Sequence, residues 1–166
     1  MSFIKSTLLR DEKIIHFSHP HWIIFVPGFF VFLLVGAILY YGPLYLPGSE
    51  HFRLMKLNIW DMLAIIFGFV GLYWMLSAAI RFYFSEYAVT DKRVIMKVGM
   101  IQRDTSEIFL SKLEAIDVDQ SILGRALGYG TIALIGTGGT RDVYSDIPKP
   151  FYFRRIAMQQ VDNPRR

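Results

Sequence analysis

The sequence predicts an α+β chain: two transmembrane helices followed by a small antiparallel β sandwich or partly open barrel, capped by a C-terminal helix. Three observations lead there. Two long uncharged apolar runs lie before Arg81. Short alternating runs punctuated by glycine fill most of the remainder. One amphipathic stretch follows a pair of prolines near the end. Of the 166 residues, 53% are hydrophobic and 19% charged, against roughly 45–50% and about 25% in soluble domains. The shift is small. Its placement decides, because the apolar residues concentrate before Arg81 and most charges come after it.

Trp22 to Gly42 is a run of 21 residues with no Asp, Glu, Lys, Arg or His, and Met62 to Ile80 is another of 19. As helices each is roughly 30 Å long, the thickness of a bilayer's hydrocarbon core. Neither has a consistently polar face, so a surface helix on a soluble core does not fit. Trp22, Tyr40, Tyr41 and Tyr45 bracket the first run, and Trp60 and Tyr83 the second. Such aromatics favour the headgroup region. Pro27 falls in the first turns, where a missing N–H is tolerated, and Pro43 and Pro47 help end the helix. The first run exceeds the roughly 7–15-residue core of a signal peptide and no small-x-small site follows it, so it reads as retained. Ala64-x-x-x-Gly68, with Gly71 near, puts small residues on one face where helices can approach, unless their spacing is chance. Asp61 falls at the outer boundary.

Sidedness follows from the short flanks. Lys5, Arg10, Lys13, Arg81, Lys92, Arg93 and Lys97 are seven basic residues on the terminal side, against Arg53 and Lys56 in the connecting loop. Both termini are therefore expected in the cytoplasm. The expected organisation is a cytoplasmic N-terminal tail over 1–21, a two-helix transmembrane hairpin over 22–83 and a cytoplasmic domain over 84–166.

Within that domain Ser85 to Thr90 reads as a strand, Asp91-Lys92 as a turn and Arg93 to Val98 as a second strand. Gly99 marks a turn into a longer or bulged strand, Met100 to Leu110. Glu114 to Gln120 alternates, with Glu114, Asp117 and Asp119 on the polar side. Gly124, Gly128 and Gly130 punctuate an irregular link. Thr131 to Gly136 is an apolar strand, and Gly138-Gly139 turns it into Arg141 to Ile147. After Pro148 and Pro150, Phe151 to Val161 reads as a helix burying Phe151, Ile156, Met158 and Val161 and exposing Arg154, Arg155 and Gln159.

Two stretches carry a family resemblance. Tyr87-Ala-Val-Thr-Asp-Lys-Arg93, running on to Gly99, resembles the opening of bacterial pleckstrin-homology-like domains of the membrane-flanked family. Gln120-Ser-Ile-Leu-Gly124-Arg125-Ala-Leu-Gly128-Tyr129-Gly130 resembles that family's second signature and is the more specific of the two. His21-Trp22 resembles its membrane entry. The resemblance implies a pleckstrin-homology-like fold in a bacterial cytoplasmic membrane, with a binding or scaffolding role and no established reaction.

Lys92, Arg93, Lys97 and Arg103 cluster in sequence around the first hairpin, where they serve either as contacts for anionic headgroups or a partner, or as a solvated face. Arg125 either clamps a carboxylate of the domain or reaches a headgroup. Gly99, Gly124, Gly128 and Gly130 read as structural turns, since no Gly-Lys-Ser/Thr follows to make a phosphate loop. His16, His19 and His21 fit an interfacial role better than a metal site, because Pro20 breaks any regular face. No cysteine exists, and no histidine follows His51, so thiolate and Ser–His chemistry are excluded from the C-terminal domain. Its 12 basic and 10 acidic residues are too balanced for nucleic-acid binding. The expectation is a non-enzymatic, cofactor-free module whose partners are membrane lipids and a protein or a second copy. An accessory subunit of a transport or envelope-stress complex is the alternative.

Overall fold

The computed structural model describes Ile4 and residues 7–45, 58–99 and 104–162. It divides into two compact units: Trp22–Ala79, and a second built from Met1–His21 together with Ile80–Arg166.

The first unit is helical. A 3-10 turn over Trp22–Phe25 leads into α1, Val26–Tyr45, and α2 runs over Ile59–Phe84, its last turn belonging to the second unit. Pro27 occupies the second position of α1, where it takes no hydrogen bond from the helix. Asp61, in the first turn of α2, accepts the Asn58 N–H at 3.0 Å, capping the helix start with a negative charge. The buried residues of α2 are Ala64, Gly71 and Ala78, seven apart. A Cβ on Gly71 would sit 3.1 Å from Val31 Cγ1, and one on Gly28 would sit 3.3 Å from the Met75 backbone N. Gly68 faces open space. The small-residue seam thus runs through Ala64, Gly71 and Ala78, and Gly68 lies off it; a seven-residue step returns to within about 20° of the same face, a four-residue step to within about 40°.

The second unit carries all seven strands found among the described residues. β1 (Ile14–Ser18), β2 (Glu86–Thr90), β3 (Arg93–Val98) and β4 (Asp104–Phe109) form one antiparallel sheet in that order. β5 (Leu113–Asp119), β6 (Tyr129–Gly136) and β7 (Arg141–Pro148) form a second antiparallel sheet. Tyr87, Val89, Val94 and Met96 from the first sheet meet Ile116, Ile132, Leu134 and Ile147 from the second in one core. The C-terminal helix α4, Pro150–Asp162, adds Phe153 and Ala157. Ile156, Met158 and Val161 pack against that core, but Phe151 is exposed. At 3.6 residues per turn the buried face runs through Phe153, Ile156 and Ala157, which leaves Phe151 off it. The glycine-rich link holds a short helix, α3 (Ile122–Leu127), in place of irregular chain.

The described residues before Trp22 pack into this fold. β1 pairs antiparallel with β2, so the helical hairpin is inserted in the connection between two neighbouring strands. Ile4 is fully buried against Ala88 and Ile95, with Ile14 and Phe17 beside them. β2 and β3 are consequently buried on both faces, one by the main core and one by the N-terminal segment.

Candidate functional site

The first hairpin does not collect its basic residues into one surface. Strand alternation puts Glu86, Ala88, Arg93, Ile95 and Lys97 on one face, in the register Glu86↔Lys97 and Ala88↔Ile95. That is the face the N-terminal segment covers. Arg93 therefore turns inward: its Nε and Nη2 donate to the two oxygens of Glu12 at 3.0 Å each, its Nη1 to Glu107, and its Nη2 also to the Thr7 carbonyl at 2.8 Å. The Thr90 hydroxyl donates to Glu12 at 2.7 Å. The Glu12 side chain is fully buried and that of Arg93 is 6% exposed. Burial alone raises the Glu12 carboxyl; the bonds from Arg93, the Leu9 N–H and Thr90, with the Arg93 charge, overcome it and hold the group below its ordinary value. Lys97 is 9% exposed. Arg103 lies outside the described residues.

Lys92 is exposed, and its Nζ donates to the Arg10 carbonyl at 3.1 Å. It follows the far end of β2 from α2. β2 starts directly after α2 and carries Lys92 about 17 Å away, so nearness in sequence to Arg81 is not nearness in space.

Around the chain's two crossings out of this unit a different group assembles. His21, which precedes Trp22, stacks on Tyr129 with ring centroids 5.4 Å apart, and its N–H donates to the Asp146 carbonyl at 2.7 Å. Arg81 pairs with Asp146 at 3.3 Å. Tyr87 is pushed up to about 12, first by burial, with Arg81 opposing and Asp146 and Tyr144 adding. His19 Nδ1 lies 3.1 Å from the Ser85 carbonyl, and His16 packs edge-on against Tyr152 and Phe153. The three histidines thus have separate partners. Among the described residues no group of three His, Asp or Glu gathers to hold a metal.

Next to Tyr129 stands the second signature. Gln120 Nε2 donates to the carbonyls of Gly124 and Tyr129, both at 2.9 Å. Ser121 caps α3 by accepting the Gly124 N–H at 3.0 Å. Gly124 is buried with its Cβ position 2.6 Å from the Tyr129 carbonyl, so only glycine fits without displacement. Gly128 ends the helix at φ +79°. Gly99 (φ +84°) ends β3, and a Cβ on Gly130 would sit 2.8 Å from the Asp119 carbonyl. Held this way, α3 exposes Ile122 by 90% and Leu123 by 67%, with Leu127 and Arg125 also exposed. Nothing in the sequence pattern marked these apolar side chains, because a short helix inside a glycine-rich stretch has too few turns to show a period.

Two antiparallel sheets sharing one core, with a C-terminal helix against it, make the second unit an α+β domain. The chain belongs to the bacterial PH domain family, whose model matches residues 23–161. That match takes in both apolar helices along with the strands from β2 onward, and leaves β1 outside. No curated protein and no solved structure matches the chain.

Proposed function

We propose that this is a membrane-anchored, non-enzymatic interaction module: α1 and α2 cross the cytoplasmic membrane of a bacterium as a hairpin and hold the PH domain against the inner leaflet, where it binds a protein partner, a second copy of itself or anionic headgroups. The pairing of β1 with β2 carries this reading. Ser18 lies opposite Tyr87, so the chain leaves and re-enters the β unit side by side. Strands that pair must share one side of a bilayer, which requires an even number of crossings between them. The two helices supply that number, and only 6% and 17% of their apolar windows are buried within the chain. A helix in a soluble core is largely covered; these leave their apolar surface for lipid. The basic residues in the flanks favour the cytoplasm for the β unit. Anchoring then raises the local concentration of weak partners.

The chain has no cysteine, so single cysteines report cleanly. An impermeant reagent on intact cells is expected to label Ser49→Cys and spare Ser145→Cys; labelling of Ser145→Cys alone reverses the orientation. Retention of folded protein in the supernatant after high-speed sedimentation without detergent ends the anchoring reading. Mass measurement in mild detergent addresses the module: a strict monomer that also ignores anionic lipid removes its support.

One observation favours the second reading, an accessory subunit whose spans are the working part. Ala37, Ile38, Tyr41, Gly42, Tyr45 and Trp60 line an apolar hollow of about 320 Å3 on the hairpin, of a size to take an apolar side chain or acyl segment. Exchange of both spans for unrelated apolar helices abolishes function under that reading and spares it under the first.

A further inference from the structure

We propose that the tip of α3 is a third membrane contact: Ile122, Leu123 and Leu127 lie in the boundary between headgroups and acyl chains of the leaflet that α1 and α2 cross. This rests on the hairpin being membrane-spanning. Three features of the β unit carry it.

The exposure is built into the fold. Gln120 ties the carbonyls at both ends of the loop, Ser121 caps the helix start, and the Gly128 N–H returns to the Gly124 carbonyl at 2.8 Å. With Gly124 wedged against the Tyr129 carbonyl, the buried side of α3 is its glycine, and the large apolar side chains have only the outside to face. Soluble surfaces carry single apolar side chains routinely; a rigid convex cluster of them marks a contact.

The tip is also at the correct end. Tyr129, two residues beyond α3, stacks on His21, the last residue before Trp22, and the Lys149 N–H donates to the Gly128 carbonyl at 2.8 Å. Gly124, within α3, lies against the Tyr129 carbonyl, so α3 sits at the end of β6 where Tyr129 meets His21. The opposite end of β6 is the Thr137–Gly139 turn, about 25 Å away along the strand.

Its charge fits lipid as well. Arg125 lies on α3 and Lys149 beside its C-terminal glycine, both exposed. From Gln120 to Gly130 there is no acidic residue; Asp119 precedes the segment, and Asp146 is paired with Arg81. Apolar side chains rimmed by basic ones are the pattern of segments that lie in an anionic interface.

The test uses the full chain with single nitroxide-labelled cysteines at Leu34, Leu123 and Thr137, reconstituted in vesicles of phosphatidylcholine and phosphatidylglycerol. Accessibility to oxygen and to a water-soluble nickel chelate is read at each. Leu34, in the middle of α1, is expected to be oxygen-rich and nickel-poor, and Thr137 the reverse. Leu123 is expected to be several-fold less nickel-accessible than Thr137 and more oxygen-accessible, at headgroup depth. If Leu34 reads deep while Leu123 matches Thr137, the third contact does not exist and the anchored hairpin stands. If Leu123 is shielded from both reagents, a second copy or another protein covers it and the lipid assignment is overturned. If Leu34 itself is nickel-accessible, the membrane reading falls and this inference with it. Leu123 is exposed, so its replacement leaves the core untouched; a label at Ala126, on the same short helix, repeats the reading independently.

Discussion

Arg93 shows how far a residue's role departs from its sequence context. In the sequence it is one of several bases near a membrane exit; in the fold it joins Glu12, Glu107 and the Thr7 carbonyl, drawn from the N-terminal segment and β4. Breaking a buried pair leaves an uncompensated charge, at about 3–5 kcal/mol. Arg93→Met is therefore expected to lower the stability of the β unit by that order, measured by chemical denaturation in micelles. The double variant Glu12→Leu/Arg93→Met is expected to recover much of the loss, because no charge is then stranded. His16 makes a second prediction. Burial against Tyr152 and Phe153 lowers its pKa, so the folded state takes up its proton less readily than the unfolded chain. The stabilisation is full above about pH 6.5 and falls as pH drops through that value. His21 shifts the same way, burial outweighing Asp146. The Tm of the β unit is thus expected to fall between pH 7 and 5, and His16→Phe to remove part of that fall while His21 supplies the rest. Glu12, whose pKa is lowered, adds its own loss as pH falls from the ordinary carboxyl value of 4.5 through the lower folded one.

Among the elements, legibility tracked the distance to the pairing partner. β2, β3, β6 and β7 were readable because Asp91-Lys92 and Gly138-Gly139 announce turns between strands that pair at once. β1 was not: Ile14 to Ser18 is short, no turn joins it to β2, and its partner lies beyond both apolar helices. The same concealment hid the burial of Arg93 and Lys97, since alternation identifies the two faces of a strand but not what covers each. In the hairpin, spacing pointed to small residues but not to the ones that touch. Gly71→Leu is expected to destabilise the helix pair by about 1–3 kcal/mol through overpacking against Val31, whereas Gly68→Leu, which faces open space, leaves it unchanged. Thermal aggregation in detergent separates the two. In the signature loop, Gln120→Ala removes the side-chain donor to the Tyr129 carbonyl and one of the two donors to the Gly124 carbonyl, and is expected to cost about 1–3 kcal/mol. It should show first as faster hydrogen exchange from Ile122 to Gly130.

For the molecule as a whole, inserting a helical pair between adjacent strands makes the β unit separable from its anchor but not from its own N-terminus. A chain in which residues 22–79 are replaced by a short Gly/Ser linker is expected to fold as a soluble β unit with β1 paired to β2, seen by its β-sheet circular dichroism and cooperative melting. Residues 84–166 alone lack β1, Ile4 and Glu12, leave Arg93 without its main partner, and are expected not to melt cooperatively. The C-terminal strands and helix were legible as one compact domain; its dependence on the first twenty residues was not, because that dependence runs through contacts such as Ile4 to Glu86, 82 positions apart.

That separation also sets a timetable during synthesis. At roughly 5–20 residues per second, Ile4 is synthesised about 4–16 seconds before Glu86, 82 positions later. Throughout that interval the β1 segment has no β2 to pair with, while, under the proposed anchoring, the segment between them enters lipid. Under the proposed anchoring, the β unit closes only once both crossings are complete, and assembly of the domain then reports that insertion has succeeded. A nascent chain stalled between the two crossings leaves an unpaired strand open to chaperones and proteases.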